Sequence, residues 1–348
     1  MPTSISSRGD GEPDAGEPAG AEAAGVKAAG RSGSATGVRA DGGAQDRDSP
    51  AGRLAGEAPG TLLILGLGFA AGAVARAARR RGWRVIGTTR QPGEPDGIER
   101  IGFEQAGDAA REATHLLCSV PPDAAGDRAL ACHRDALAGA GRLVWIGYFS
   151  TTGVYGDQGG GWVDEASPVS DASPRARRRI EAEQGWAALA HAACGGRIDL
   201  IRLAGIYGPG RSVFDQIRAG TARRIIAPGH CFGRTHRDDI AAATLAAMQT
   251  PPGRQGARVL NFSDDEPAES SLVLEYAAQL LGMPPPPSVP LAEAWATMSP
   301  MARSFWADNR KVSARHTQQV LGYRWRYPTF REGLRAVLDA EHGAQDQP

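Results

Sequence analysis

From Gly60 onward, short apolar runs alternate with alanine-rich stretches of helical spacing. Residues 62–65, 84–88, 115–120, 142–147, 199–203 and 259–262 have the strand character expected of a sheet covered on both faces. Segments 124–138 and 180–193 read as helices between them. Strands and helices in alternation predict an α/β fold, a doubly wound and mostly parallel sheet with helices on both faces. Residues 1–59 are a different material. Their large apolar residues after Met1 are Ile5, Val26, Val38 and Leu54, embedded in Ala, Gly, Pro, Ser, Asp and Glu. Such a segment buries too little surface to offset its ordering entropy, so it is expected to be a disordered tail. It has no apolar core of a secretory signal, and its acidic residues are unlike a transit peptide.

The first strand, helix and second strand enclose the most informative segment, Thr61-Leu-Leu-Ile-Leu-Gly-Leu-Gly-Phe-Ala-Ala-Gly72. A G-x-G-x-x-A turn between a strand and a helix is the context that makes this pattern a dinucleotide site. Gly66 permits the tight turn, Gly68 lets the backbone approach a pyrophosphate, and Ala71 allows close helix–strand packing. Phe69 opens the helix, whose N-terminus favours phosphate. The chain is therefore expected to hold a Rossmann NAD(P)-binding domain over 60–205 and a smaller C-terminal substrate lobe over 206–340. Parts of that lobe return to the Rossmann domain.

Ligands of such sheets bind beyond the carboxyl ends of the strands. After the second strand comes Thr88-Thr89-Arg90, with no carboxylate for a ribose 2′-hydroxyl. Small hydroxyls and an arginine suit a 2′-phosphate, so NADP is expected over NAD, with NAD possible. After the third comes Cys118-Ser-Val-Pro-Pro122, a rigid turn that sets Ser119 and Pro121 beside the cofactor or serves only to turn the chain.

Further along, the chain reads Tyr148-Phe-Ser-Thr-Thr-Gly-Val-Tyr-Gly-Asp157, then Arg202-Leu-Ala-Gly-Ile-Tyr-Gly-Pro-Gly210, His236-Arg-Asp-Asp-Ile240 and Asn261-Phe-Ser-Asp-Asp-Glu-Pro267. These motifs, in this order, resemble the extended short-chain dehydrogenases/reductases, the NAD-dependent epimerase/dehydratase superfamily. The resemblance runs from residue 61 to about 335. It implies that Thr151 hydrogen-bonds the reacting oxygen and that Tyr155 is a cofactor-site or structural tyrosine. It also implies contacts from Tyr207, Arg211 and His236, and a homodimer packed through the helices after the Thr151 and Ser119 strands. Of these, His236 has the unperturbed pKa of a proton carrier near neutrality, although a lone histidine is more often a hydrogen-bonded structural residue.

The family's Tyr-x-x-x-Lys pair does not appear where the motif places it. Ser173-Pro174 is followed by Arg175-Ala-Arg-Arg-Arg179, so Arg175 stands for the tyrosine and Arg179 for the lysine. Arginine stays protonated, so Arg175 cannot be the general acid. Arg179 can keep the ribose contact, and Arg175 can clamp an anionic group, or both can be solvated helix residues. The first glycine of the family's usual turn is Leu65 here. Both departures resemble a bacterial branch with a Ser-Val-Pro-Pro loop and no catalytic tyrosine.

Composition narrows the alternatives. The 348 residues carry a formal net charge of zero, and no basic–aromatic stripe appears, so neither nucleic acid nor a membrane surface is expected as partner. Cys118, Cys132, Cys194 and Cys231 show no metal spacing and suit a reduced cytoplasmic protein without a metal site. The expected activity is an NAD(P)-dependent oxidoreductase or epimerase acting on a small polar or sugar-like molecule. The alternative is a non-catalytic dinucleotide-binding sensor or scaffold.

Overall fold

The computed structural model describes residues 60–90, 95–253 and 256–345. The expected 1–59 tail lies outside the described residues. Seven parallel strands form the central sheet: β1 (Thr61–Leu65), β2 (Arg84–Thr88), β3 (Glu99–Ile101), β4 (His115–Cys118), β5 (Trp145–Thr151), β6 (Ile198–Leu203) and β7 (Ala257–Phe262). Their order is β7-β6-β5-β4-β1-β2-β3. The chain runs outward from β1 through β2 and β3, then returns to the other side of β1 as β4. The switch point between β1 and β4 is therefore where such a fold opens its ligand crevice. The principal helices are α1 (Phe69–Arg80), α2 (Arg128–Ala138), α3 (Pro174–Cys194), α4 (Arg237–Gln249), α5 (Ser270–Leu280), α6 (Pro300–Trp306) and α7 (Phe330–Gln345).

The unbroken apolar run of β1 has a simple cause. Leu62 and Ile64 pack into the layer that holds Val74 of α1 and Ile240 and Leu245 of α4. Leu63 and Leu65 face the opposite layer, with Leu130 of α2 and Trp186 of α3. Alternate side chains of one strand thus feed two cores, which a parallel sheet covered by helices requires. The lobe has its own core, with Phe214, Leu274, Ala277, Phe330 and Leu334.

Several boundaries differ from the sequence expectation; the helix expected from 124, for one, starts at Arg128, where the Asp127 side chain accepts the Leu130 N–H. The strand expected over 142–147 lies at β5, Trp145–Thr151, because Trp145 to Tyr148 pair with β4 and Ile146 to Thr151 pair with β6. Tertiary pairing outweighs the hydroxyl-rich composition there. The helix expected from 180 starts at Pro174, where the Ser173 side chain accepts the Ala176 N–H at 3.1 Å and Pro174 occupies the first turn without a missing bond. Strand β3 was not expected from the apolar pattern; its Glu-Arg-Ile sequence is only half-buried at the sheet edge.

Candidate active site

A cleft of about 920 Å³ opens beyond the carboxyl ends of the strands. Its lining joins the glycine turn, the β4 and β5 ends, the start of α3, and lobe residues 203–206, 231–234 and 300–312. The turn is tied down from within. Gly66, at φ +90, donates its N–H to Thr88 Oγ1 at 2.8 Å, and Leu67 donates to the Thr88 carbonyl at 2.9 Å. Ser119 Oγ donates to the Gly66 carbonyl at 2.6 Å. Gly68 donates to the same carbonyl at 2.9 Å.

These bonds leave the start of α1 as the open anion site. Gly68 caps α1 without any side-chain hydrogen bond, and no acidic residue occupies the first turn. A Cβ placed on Gly68 would meet nothing within 4 Å, so the space over the helix end is clear. The first N–H groups of a helix need acceptors, and the helix dipole favours a negative one. Phe69, Ala70 and Ala71 all line the cleft at this end. The cradle fits a dinucleotide pyrophosphate.

Across the cleft, Thr151 ends β5. Its Oγ1 accepts the Gly153 N–H at 3.1 Å, which leaves the hydroxyl proton to be donated into the cleft that Thr151 lines. Its neighbour Ser150 is committed elsewhere: buried, it donates to Glu183 Oε1 at 2.6 Å. Ser150 also borders the cleft, but its proton is spent on Glu183, so Thr151 is the one of the two adjacent hydroxyls left to serve a ligand.

The helix arginines divide similarly. Arg179 donates to the Phe149 carbonyl at 2.8 Å and the Tyr148 hydroxyl at 3.1 Å, which locks its guanidinium against the β5 end. Arg175 stacks on the exposed Phe305 ring of α6, 4.5 Å from its centroid. Burial first, and then Arg179 and Arg310, hold the Arg175 guanidinium below its ordinary pKa. Arg178, Arg211, Arg234 and Arg310 also line the cleft, and Asp308 is the sole carboxylate of the lining. Arg310 pairs with Asp308 at 3.1 Å and reaches the Gly156 carbonyl at 2.9 Å. The cleft is thus strongly electropositive, a field that attracts phosphates and carboxylates.

Other residues expected at the site lie outside the lining. Tyr155 is fully buried and donates its hydroxyl to Asn261 Oδ1 at 2.8 Å, with the Arg202 guanidinium 4.9 Å from its ring centroid. Its place is in the core behind the cleft, where it joins the Ser150–Glu183–Arg202 network. His236 is also buried, wedged between the rings of Tyr207 at 5.3 Å and Tyr327 at 4.3 Å. Its Nδ1 accepts the Asp238 N–H at 3.2 Å and caps α4. Burial pushes its pKa down to about 4, with Asp238 opposing, so the ring is neutral at pH 7. Thr88 is buried and spent on Gly66, while Arg90 is exposed beyond the β2 end. Thr89 donates its backbone N–H to the Ile101 carbonyl at 3.0 Å, and Pro121 is exposed beyond β4.

The structure adds Phe305, Asp308, Arg234 and Arg310, which no local sequence pattern singles out. Arg310 and Gly156 are separated by 154 positions, so only the fold brings them together.

No family model matches the chain. It is 41% identical to a functionally unknown conserved protein of Silicibacter pomeroyi, with a TM-score of 0.74, over 81% of this chain and 99% of that one. Among curated proteins it is 28% identical to Protein YeeZ of Escherichia coli (strain K12), over 65% of this chain and 85% of YeeZ. It is 29% identical to a 3-diazoavenalumate denitrifying reductase of Streptomyces sp., over 39% of this chain and 45% of the reductase. The chain thus spans less than half of the reductase it matches. At 18% identity and a TM-score of 0.63 it shares the fold of a human epimerase family protein, SDR39U1, solved with NADPH, over 80% of this chain and 99% of that one. No described helix is long and apolar enough to cross a membrane.

Proposed function

We propose, for a chain that belongs to the extended short-chain dehydrogenases/reductases of the NAD-dependent epimerase/dehydratase superfamily, an NADP(H)-dependent oxidoreductase or epimerase acting on a small, polar, anionic substrate. The observation that carries this reading is the uncapped α1 N-terminus opening into an arginine-lined cleft. A bound nicotinamide would supply or accept the hydride there. Phe69 to Ala71 would hold the pyrophosphate through backbone N–H groups and dipole. Arg90, beyond β2, favours the 2′-phosphate form, since no carboxylate stands there for a free 2′-hydroxyl.

On the substrate side, Thr151 would donate a hydrogen bond to the reacting oxygen and orient it. Arg175 would hold an anionic group of the substrate through its planar fork, which stays charged and cannot supply the proton. Water admitted by the open cleft would supply that proton. Arg179 would fix the β5 end and keep positive charge beside the cofactor ribose, the place the family gives to lysine. A homodimer packed through the helices after β4 and β5 accords with this reading. The arginine in the tyrosine position favours a second reading, a dinucleotide-binding sensor without catalysis.

Titration with NADPH, NADP⁺, NADH and NAD⁺ tests the cofactor, alongside Arg179→Ala and Thr151→Ala. Micromolar NADP(H) binding weakened by Arg179→Ala, with Thr151→Ala leaving it unchanged, is the expected result. Absence of binding by all four would overturn the enzyme and the sensor together. Binding without cofactor oxidation across a broad panel of anionic carbonyl compounds would favour the sensor.

A further inference from the structure

A second concavity of about 400 Å³ lies along α1 and α4, with lining residues distinct from those of the active-site cleft. Its floor is made of Ala73 and Ala77 of α1 and Ala241 and Ala242 of α4, small residues that let the two helices approach closely. Its rim carries Arg76, Arg80 and Arg81 from the α1 side, Arg237 from α4, and Arg326. Among the described residues Asp238 is the single carboxylate of the lining, which leaves four positive charges in excess there. Asp239 cannot help: it is buried and occupied by the Tyr323 hydroxyl at 2.6 Å and the backbone N–H groups of Arg326 and Tyr327 at 2.8 and 3.0 Å.

The arrangement is costly in the absence of a counter-ion. Arg76 and Arg80 are an i, i+4 pair of like charges, which disfavours a helix. Among the described residues, Arg76, Arg80, Arg81 and Arg326 make no ion pair with a carboxylate. The Arg237 Nε is buried without a hydrogen-bond partner; its nearest carboxylate oxygen, on Asp238, is 3.5 Å away. Burial first, and then Arg237, lower the Arg76 pKa, with Asp96 and Asp238 opposing.

We propose that this groove is a binding site for an oligophosphate chain, free or carried on a nucleotide, separate from the dinucleotide cleft. Five guanidiniums over one carboxylate match a ligand of about four negative charges, and the arginine fork fits phosphate oxygens bidentately. Alanines form the floor and no aromatic side chain lies among the described lining residues, so no ring there would stack on a base. The site meets the cleft at Arg237, which stacks on Phe69, 5.2 Å from its ring centroid, and donates to the Pro209 carbonyl at 2.6 Å. Phe69 lines the cleft, so an anion that engages Arg237 bears on the start of α1.

Inorganic triphosphate titrated into the full chain by calorimetry tests this, with Gly68→Asp present throughout to close the helix-terminal phosphate site. Binding with a dissociation constant below about 1 mM, weakened at least about tenfold by Arg76→Gln with Arg80→Gln, is expected. ATP bound as tightly as triphosphate assigns recognition to the chain alone; ATP bound tenfold tighter assigns it to the ester. Equal binding in the double variant, or an effect reproduced by sodium chloride of the same ionic strength, would overturn the site. NADPH titration of the same double variant without Gly68→Asp is read separately. Its retention or loss speaks to the cofactor cleft, not to the groove.

Discussion

The cleft and the layer directly behind it use the same residue types to opposite ends. Behind β5, the Arg202 guanidinium grips Glu183 through two bonds, 3.1 Å from Nε and 2.8 Å from Nη2, with both side chains 6% exposed. Ser150 adds a third bond to the same carboxylate, and Tyr155 covers the arginine. In front, six arginines share Asp308. Paired charges hold the sheet to α3; unpaired ones create a field for a ligand. Ser150 and Thr151 both border the cleft, and the Ser150 bond to Glu183 ties the cleft wall to the paired layer. Burial, then, is a poor guide to function in this molecule, and the missing partner is a better one.

The largest effect should come from breaking the paired region. Glu183→Ala leaves the Arg202 charge buried and unpaired, and removing one partner of such a pair costs about 3–5 kcal/mol. Urea denaturation should show that loss. A folded Glu183→Ala variant of undiminished stability, but with impaired dinucleotide binding, would assign Glu183 to the cleft and erase the distinction.

Gly68→Asp sharpens the contrast because stability and binding should move in opposite directions. The φ of Gly68 is −86, which an L-residue adopts, and a Cβ there meets no atom within 4 Å. Aspartate would cap the free N–H groups of α1 and raise stability by about 1 kcal/mol. The same carboxylate would face the pyrophosphate and cost about 2–4 kcal/mol of binding, roughly thirtyfold or more. Melting curves and dinucleotide titration of one sample measure both. A loss of stability, or unchanged affinity, would place the phosphates elsewhere.

Two arginines one helical turn apart give a smaller test. Arg179→Ala removes bonds to the Phe149 carbonyl and Tyr148 hydroxyl and should cost about 1–2 kcal/mol. Arg175→Ala removes only an exposed stack on Phe305, worth about 0.5–1 kcal/mol. Equal losses in chemical denaturation would mean that Arg175 is structural too.

Much of the architecture was legible because local patterns carried it. The apolar run of β1 and the glycine turn after it mark the switch point, and Ser173-Pro174 with four arginines in the next five residues places positive charge at the start of α3. What escaped was set by distance in sequence. Phe305 reaches Arg175 from a segment 130 residues away, and nothing around Asn309 or Arg310 signals that they meet Gln158 and Gly156. Roles also escaped where one residue type serves two environments. Tyr155 and His236 carry the chemistry of a site, and only their partners, Asn261 for one and the Asp238 N–H for the other, assign them to the core and a helix cap.

The smallest effect, and the one that decides whether His236 stands with the paired region, is His236→Asn. Asparagine is a good N-cap and keeps an acceptor for the α4 terminus, so stability at pH 7 should change by no more than about 1 kcal/mol. The pH dependence should change more visibly. Burial lowers the folded-state pKa from 6.5 to about 4, so below pH 6.5 the unfolded chain takes up a proton that the folded ring refuses. The stability contributed by His236 should therefore be lost as pH drops from 6.5 towards 4, and His236→Asn should remove that part of the slope. His115, whose pKa burial also lowers to about 4, adds to the fall, and Asp264, which burial raises to about 8, opposes it in both proteins. Melting temperatures of both proteins at half-unit intervals of pH measure the difference. Parallel slopes would mean that the ring titrates freely in the folded state, as a solvent-connected proton carrier would, and would return His236 to the active site.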